Sequence, residues 1–344
     1  MIKVGVIGLG KMGRLHAKNC RFIDDVKVVA ASDSSKKKLE MVDNIGIKYL
    51  YKNYADLLKS ADIDAVIITL PNFLHSESIC AAAEAGKDIF VEKPLANSVV
   101  ECKTIANVVK KEGVKLMVGH NYRFFNSVEK CKREFEKGLV GDVELATLDL
   151  ILNGPFAPSL EPTPIPEWYF TKESIGMGCL DSGYHLIDLF QWLFGEAYVL
   201  YAHLGYRYHL PYEDNAIVVL HSKKGSTKGT LNVGWFSKAI FPQFDFHMLL
   251  HGTAGFISTD NYAPRNLYLH AAKEGTKNVV RKLVGRKIHP LTYTYYYVSY
   301  VKELQHFFDC IKNNSEPSVT IENAQKNVEI IEQIYQKYDK HGSA

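Results

Sequence analysis

The stretch Ile2-Lys3-Val4-Gly5-Val6-Ile7-Gly8-Leu9-Gly10-Lys11-Met12-Gly13 decides how the rest of the chain is read. A short, largely apolar β-prone run passes straight into a Gly-x-Gly-x-x-Gly turn, and a helical pattern opens behind it. In that setting the loop from Gly8 to Gly13 reads as a dinucleotide cradle. Gly8 makes the turn, and Gly10, without a Cβ, lets a pyrophosphate approach the N–H groups at a helix N-terminus. The competing reading, a tight glycine turn with no ligand, fits the strand, spacing and helix less well.

Further runs of the same kind follow at Val26 to Ala31, Ala65 to Thr69, Ile89 to Val91 and Lys115 to Val118, with helical patterns between them. Each is nearly all apolar rather than alternating, as a strand covered on both faces requires. The alternation predicts parallel strands with crossover helices, a doubly wound Rossmann sheet. Asp33 ends the second strand about 20 residues beyond the glycines, where a carboxylate holds ribose hydroxyls and repels a 2′-phosphate. That favours NAD over NADP. Ser34, Ser35 and Lys36 follow at once, and they could instead cradle a phosphate or, for either serine, cap a helix.

After about residue 122 the texture changes. A Pro-rich stretch from Gly154 to Pro166 precedes longer alternating runs at Ala216 to His221 and Gly229 to Phe236, which read as strands with one polar face. Helical spacing returns in Val301 to Lys312 and Ile321 to Tyr338. The expectation is an α/β N-terminal Rossmann domain over 1–122 and an α+β C-terminal domain with an open, mainly antiparallel sheet over 123–344.

Composition narrows the function classes. With 344 residues, 47% hydrophobic and 23% charged, the chain has the balance of a soluble protein and is long enough for two cores. No apolar run approaches a membrane span. A net charge of +3 spread along the chain gives no nucleic-acid footprint. Six cysteines without a Cys-x-x-Cys pair read as reduced thiols, and a first strand starting at Ile2 leaves no room for an export signal ahead of it. Cytoplasm is the expected location.

Beside the glycine loop, four stretches carry a resemblance: Thr69-Leu70-Pro71-Asn72-Phe73-Leu74-His75, Glu92-Lys93-Pro94, Gly119-His120-Asn121-Tyr122-Arg123, and Gly176 through Asp188. Together they resemble the Gfo/Idh/MocA oxidoreductase family, which includes glucose-fructose oxidoreductase and inositol dehydrogenase, and the resemblance runs from the first strand to the last helix. It implies that Lys93 sits between nicotinamide and substrate, that Thr69, Pro71, Asn72, His75 and Glu92 belong to the cofactor side, and that the Lys93-Pro94 bond is cis. The segment from Gly176 is similar to the family's Gly-Gly-Gly-x-x-x-Asp-x-Gly-x-His-x-x-Asp pattern, with Met177 in place of the middle glycine. The resemblance also implies that the open sheet is buried in a homodimer or homotetramer.

On a helix, Asp181, His185 and Asp188 fall at i, i+4 and i+7 and share a face. The expected chemistry is hydride transfer between nicotinamide and a secondary alcohol of a sugar, polyol or nucleotide-sugar. His185 would move the hydroxyl proton, Asp181 would orient the ring or bind a hydroxyl, and Lys93 would stabilise developing alkoxide. Lysine and histidine could exchange those roles. His185 could also be a structural histidine satisfied by Asp188. A metal site is not expected, because no third and fourth ligand of plausible spacing accompanies a His and Asp at helical spacing. Tyr122 and Arg123 are expected on the substrate side, as is Trp168, which with Tyr169 and Lys172 would suit sugar-ring stacking. Two other functions compete: a regulator of the same fold that binds dinucleotide without turnover, and a glycosidase that uses tightly held NAD with no net redox change.

Overall fold

The computed structural model describes residues 1–344 other than 43–45, 61, 157–170, 172–175, 237–243, 265, 286–287, 289–296 and 342–344. The chain divides into two compact units that are not consecutive segments. The first comprises Met1–Leu95, Val100–Phe125 and Pro264–Ile321, and the second Ala96–Val99, Asn126–Ala263 and Glu322–Ala344. The expected boundary was 122/123, and the first lasting crossing between the units falls at Phe125/Asn126. The return of Pro264–Ile321 to the first unit was not expected.

In the first unit, strands β1 (Ile2–Ile7), β2 (Val26–Ser32), β3 (Tyr49–Tyr51), β4 (Ala65–Ile68), β5 (Asp88–Glu92) and β6 (Leu116–Gly119) form one sheet in the order β3-β2-β1-β4-β5-β6. Every pairing is parallel. Helices α1 (Lys11–Asn19), α2 (Lys36–Glu40), α3 (Tyr54–Ser60), α4 (His75–Glu84) and α5 (Val99–Glu112) lie between the strands in sequence. Val66, Ile67 and Ile68 of β4 are 0% exposed, and burying each such side chain is worth about 1.5–3 kcal/mol. This is why the central strands read as unbroken apolar runs. The sequence order reverses between β1 and β4, and in such a sheet ligands bind outside the carboxyl ends of the strands at that point.

The second unit carries α6 (Asn126–Glu136), β7 (Val143–Leu152), α7 (Leu180–Phe194), β8 (Ala197–Gly205), β9 (Asn215–Ser222), β10 (Lys228–Trp235), β11 (Phe244–Gly252) and β12 (Gly255–Ser258). Its sheet runs β12-β11-β7-β10-β9-β8. The sheet is mainly antiparallel, as expected, but mixed, because β7 and β10 pair in parallel. Three helices follow: α8 (Leu267–Leu283) and α9 (Tyr297–Asn313) belong to the first unit, and α10 (Ile321–His341) essentially to the second. Helix α7 lies on one face of the second sheet, where Trp235 Nε1 donates to Ser182 Oγ (2.9 Å). The Tyr184 hydroxyl donates to the Ala324 carbonyl (2.9 Å), tying α7 to α10. Along β8 a register shift between Val199 and Tyr201 turns two successive residues, Leu200 and Tyr201, to the exposed side. No helix among the described residues is long and apolar enough to cross a membrane.

Candidate active site

The glycine loop sits at the carboxyl end of β1, and each glycine is explained by what a side chain would meet. Gly8 has φ +92°, the left-handed region that glycine alone enters without strain. At Gly13 a Cβ would lie 1.9 Å from the Gly8 carbonyl oxygen, so the loop closes on its own backbone there. At Gly10, which caps α1, a Cβ would meet nothing within 4 Å. The open space therefore lies beside Gly10, at the head of α1, whose first turn has no acidic residue and no side-chain cap. Uncapped N–H groups at a helix start favour an anion, so the residues present fit a dinucleotide pyrophosphate.

The loop is tied down from both sides. Thr69 Oγ1 donates to the Gly8 carbonyl (2.7 Å), and Arg14 reaches back to the Leu9 carbonyl (2.8 Å). Asp33, buried at the end of β2, accepts from the Leu9 N–H (2.8 Å) and the Ser35 N–H (2.9 Å), with Lys38 Nζ at 3.3 Å. The carboxylate therefore stands beside the loop, as a ribose partner must. Ser34 is exposed, and Ser35 is the N-cap residue of α2 without a side-chain cap bond. Lys11 is exposed and Met12 half-buried at the start of α1.

The Glu92-Lys93-Pro94 turn leaves the end of β5, and the Lys93-Pro94 bond is cis. Lys93 is half-buried, between two residues held from behind. His16 on α1 donates through Nε2 to Glu92 Oε1 (2.7 Å). Burial pushes the Glu92 carboxyl up, but the bond from His16, the charge of His16 and that of Lys93 outweigh it and leave Glu92 below the usual carboxylate range. His75 has Nδ1 2.7 Å from the Pro94 carbonyl oxygen and Nε2 2.9 Å from that of Leu70. It is completely buried, which lowers its basicity. His75, expected on the cofactor side, has both ring nitrogens on backbone carbonyls and braces the Pro94 turn. Pro71 and Asn72 are half-buried at the start of a 3-10 turn, Asn72–Leu74.

Tyr122 and Arg123 were expected on the substrate side. Both are 5% exposed in the 3-10 turn after β6. Tyr122 stacks on Phe125 at 4.5 Å between ring centroids, and Arg123 donates to the Ser318 carbonyl (3.0 Å). These contacts are packing within the first unit. Trp168 and Tyr169 lie outside the described residues, as does Lys172.

In the second unit Asp181 and His185 are half-buried on the first turns of α7. Asp188, further along the same face, is buried and accepts from Asn327 Nδ2 (3.0 Å). Sequence reasoning missed what fixes this helix start. Glu213 Oε1 accepts from the N–H groups of Gly178 (2.8 Å) and Leu180 (3.2 Å), and its Oε2 accepts from the Tyr335 hydroxyl (3.0 Å). A carboxylate there also complements the helix dipole. Gly178 has no room for a side chain, since a Cβ would lie 2.0 Å from the Glu213 carbonyl oxygen, whereas Met177 is simply buried. The departure from the glycine pattern at Met177 is thus accommodated by packing.

Comparison with known proteins places these features. Residues 2–120 match the Gfo/Idh/MocA model described as an oxidoreductase family with an NAD-binding Rossmann fold, and residues 132–342 match that family's C-terminal alpha/beta domain. The myo-inositol 2-dehydrogenase of Thermotoga maritima is 28% identical over 93% of this chain and 91% of its own. The scyllo-inositol 2-dehydrogenase (NAD(+)) of Bacillus subtilis is 28% identical over 96% and 92%. The crystal structure of scyllo-inositol dehydrogenase from Lactobacillus casei, with NAD(H) and scyllo-inositol, shares the fold: TM-score 0.78 at 21% identity, covering 99% of this chain and 98% of that one.

Proposed function

The chain belongs to the Gfo/Idh/MocA family of NAD-binding oxidoreductases, and from that premise we propose that it is a dehydrogenase of cyclic polyols or sugars, with Lys93, Asp181 and His185 as its chemical groups. The observation that carries the reading is the Lys93 turn: a half-buried lysine at the carboxyl end of β5, one strand beyond the β1/β4 reversal, with its neighbours held by His16 and His75. NAD bound on the glycine loop would supply the hydride acceptor. The chain's own part is to hold a cation near the developing alkoxide, to take the hydroxyl proton on His185, and to orient the ring or a substrate hydroxyl through Asp181. Asp33 disfavours a 2′-phosphate by repulsion at close range, which Lys38 only partly offsets.

Inositols, free aldoses and nucleotide-sugars, each offered with NAD and with NADP while reduced cofactor is followed by fluorescence, test the reading. An inositol turned over with NAD in preference to NADP is expected. NAD binding with no turnover of any of them would return the regulator reading. Release of sugar from an aryl glycoside without accumulating NADH would point to the glycosidase.

The enzyme works as a homodimer or homotetramer in the cytoplasm. Support comes from the second sheet, which exposes Leu145, Tyr198, Leu200, Tyr201 and Ile217, apolar side chains that a subunit interface would cover. Sedimentation velocity at micromolar concentration should show the oligomer, and a lone monomer there would count against it.

A further inference from the structure

Behind the Lys93 turn the first unit holds a second group of titratable side chains. Glu303 on α9 is 0% exposed, and among the described residues neither of its carboxyl oxygens has a hydrogen-bond partner. One of them lies within 4.8 Å of both a Glu92 carboxylate oxygen and a ring nitrogen of His16. The other titratable groups around this cluster are Lys93 at the end of β5, His75 on α4, Tyr122 after β6, and Tyr297 and Tyr300 on the same helix as Glu303. The ring of Tyr300 stands 6.0 Å from that of His16.

Geometry separates two chemistries for this trio. Ligands at ~2.0–2.1 Å from one tetrahedral zinc sit about 3.3 Å apart, whereas His16 Nε2 and Glu92 Oε1 are 2.7 Å apart, a hydrogen-bond distance. A metal would have to break that bond and spread a close-packed core. Two carboxylate charges this close, with little water between them to screen the repulsion, do not both persist, so one of the pair carries a proton. Glu92 has His16 and Lys93 to stabilise its charge. Glu303 makes no hydrogen bond to either, and burial and the Glu92 charge both push its carboxyl well above the usual range.

We propose that Glu303 is kept as a neutral carboxylic acid and serves as a positioning residue for Lys93, leaving Glu92 as the one charged carboxylate of the pair, which anchors the chain just before it. The positioning half rests on the reading of Lys93 given above; the protonation half does not. The infrared difference spectrum between the intact protein and Glu303→Gln should contain the carbonyl stretch of a protonated carboxyl at neutral pH. The difference removes other buried acids such as Glu213. In turnover of an inositol with NAD, Glu303→Ala should lower kcat by roughly ten- to a hundred-fold with KM for NAD little changed, as displacement of a catalytic group does. Glu303→Gln, neutral and nearly the same shape, should restore most of that loss and keep the wild-type pH profile of kcat. A carboxylate band in place of the acid band, a Gln variant as damaged as the Ala variant, or stoichiometric zinc that Glu303→Gln removes would each overturn the proposal. If no inositol, aldose or nucleotide-sugar is turned over at all, the dehydrogenase reading falls while the infrared result still decides the state of Glu303.

Discussion

Lys93→Ala is expected to lower turnover by roughly 10² or more while NAD affinity stays close to wild type. The two effects separate because the two jobs sit on different parts of the first unit. Dinucleotide binding rests on the β1 turn, where Gly10 leaves open space and Asp33 is fixed by the Leu9 and Ser35 N–H groups. Lys93 follows β5, and its backbone is held through Glu92 by His16 and through Pro94 by His75. Removing the ammonium takes away a preorganised charge without disturbing those anchors. The check is kcat from steady-state turnover together with the NAD dissociation constant from calorimetry. Near-normal kcat in the variant would remove Lys93 from the chemistry. A parallel collapse of NAD binding would show that it belongs to the cofactor cradle instead.

The parts of the molecule legible in the sequence were those decided by neighbours along the chain. The β1 turn is a local pattern, and the buried central strands read as apolar runs because both faces are covered. Strand β3 escaped because Tyr49–Tyr51 is a short edge strand that is half-buried at most and carries no such run. The parallel pairing of β7 with β10 joins segments far apart in sequence, and neither strand's own alternation encodes its partner's direction. The return of α9 to the first unit is a packing fact of the same kind: Phe90 and Phe307 meet at 5.9 Å between ring centroids.

The site follows the same rule. Lys93 and its cis proline came from a motif, and the motif named His75 as well, but not that its ring faces inward onto two carbonyls. Glu213 caps α7 from 35 residues away and has no local signal. Glu303 did have one. It stands one turn before Phe307 on the stripe that includes Leu304 and Phe308, so an acidic residue occupies a buried phase of an apolar helix face. Such a residue costs stability unless it is neutral or paired; Asp188, buried likewise on α7, is paired with Asn327, whereas Glu303 has no hydrogen-bond partner among the described residues.

His185→Ala should reduce alcohol oxidation by roughly 10²- to 10⁴-fold, the usual range for losing a positioned acid or base. The geometry behind this is the start of α7. Glu213 fixes the first turn, the Ser182 bond to Trp235 fixes its rotation against the sheet, Asp181 and His185 are half-buried on one face, and Asp188 accepts from Asn327. A base must be unprotonated to accept the hydroxyl proton. The wild-type oxidation rate should therefore climb with pH as that base loses its proton and then level off, and the reduction direction should show the opposite slope. In His185→Ala the climb should disappear along with most of the rate. If it persists there and vanishes in Lys93→Ala, lysine is the titrating acid/base and histidine the positioning group, because each variant removes one candidate proton carrier and leaves the other in place.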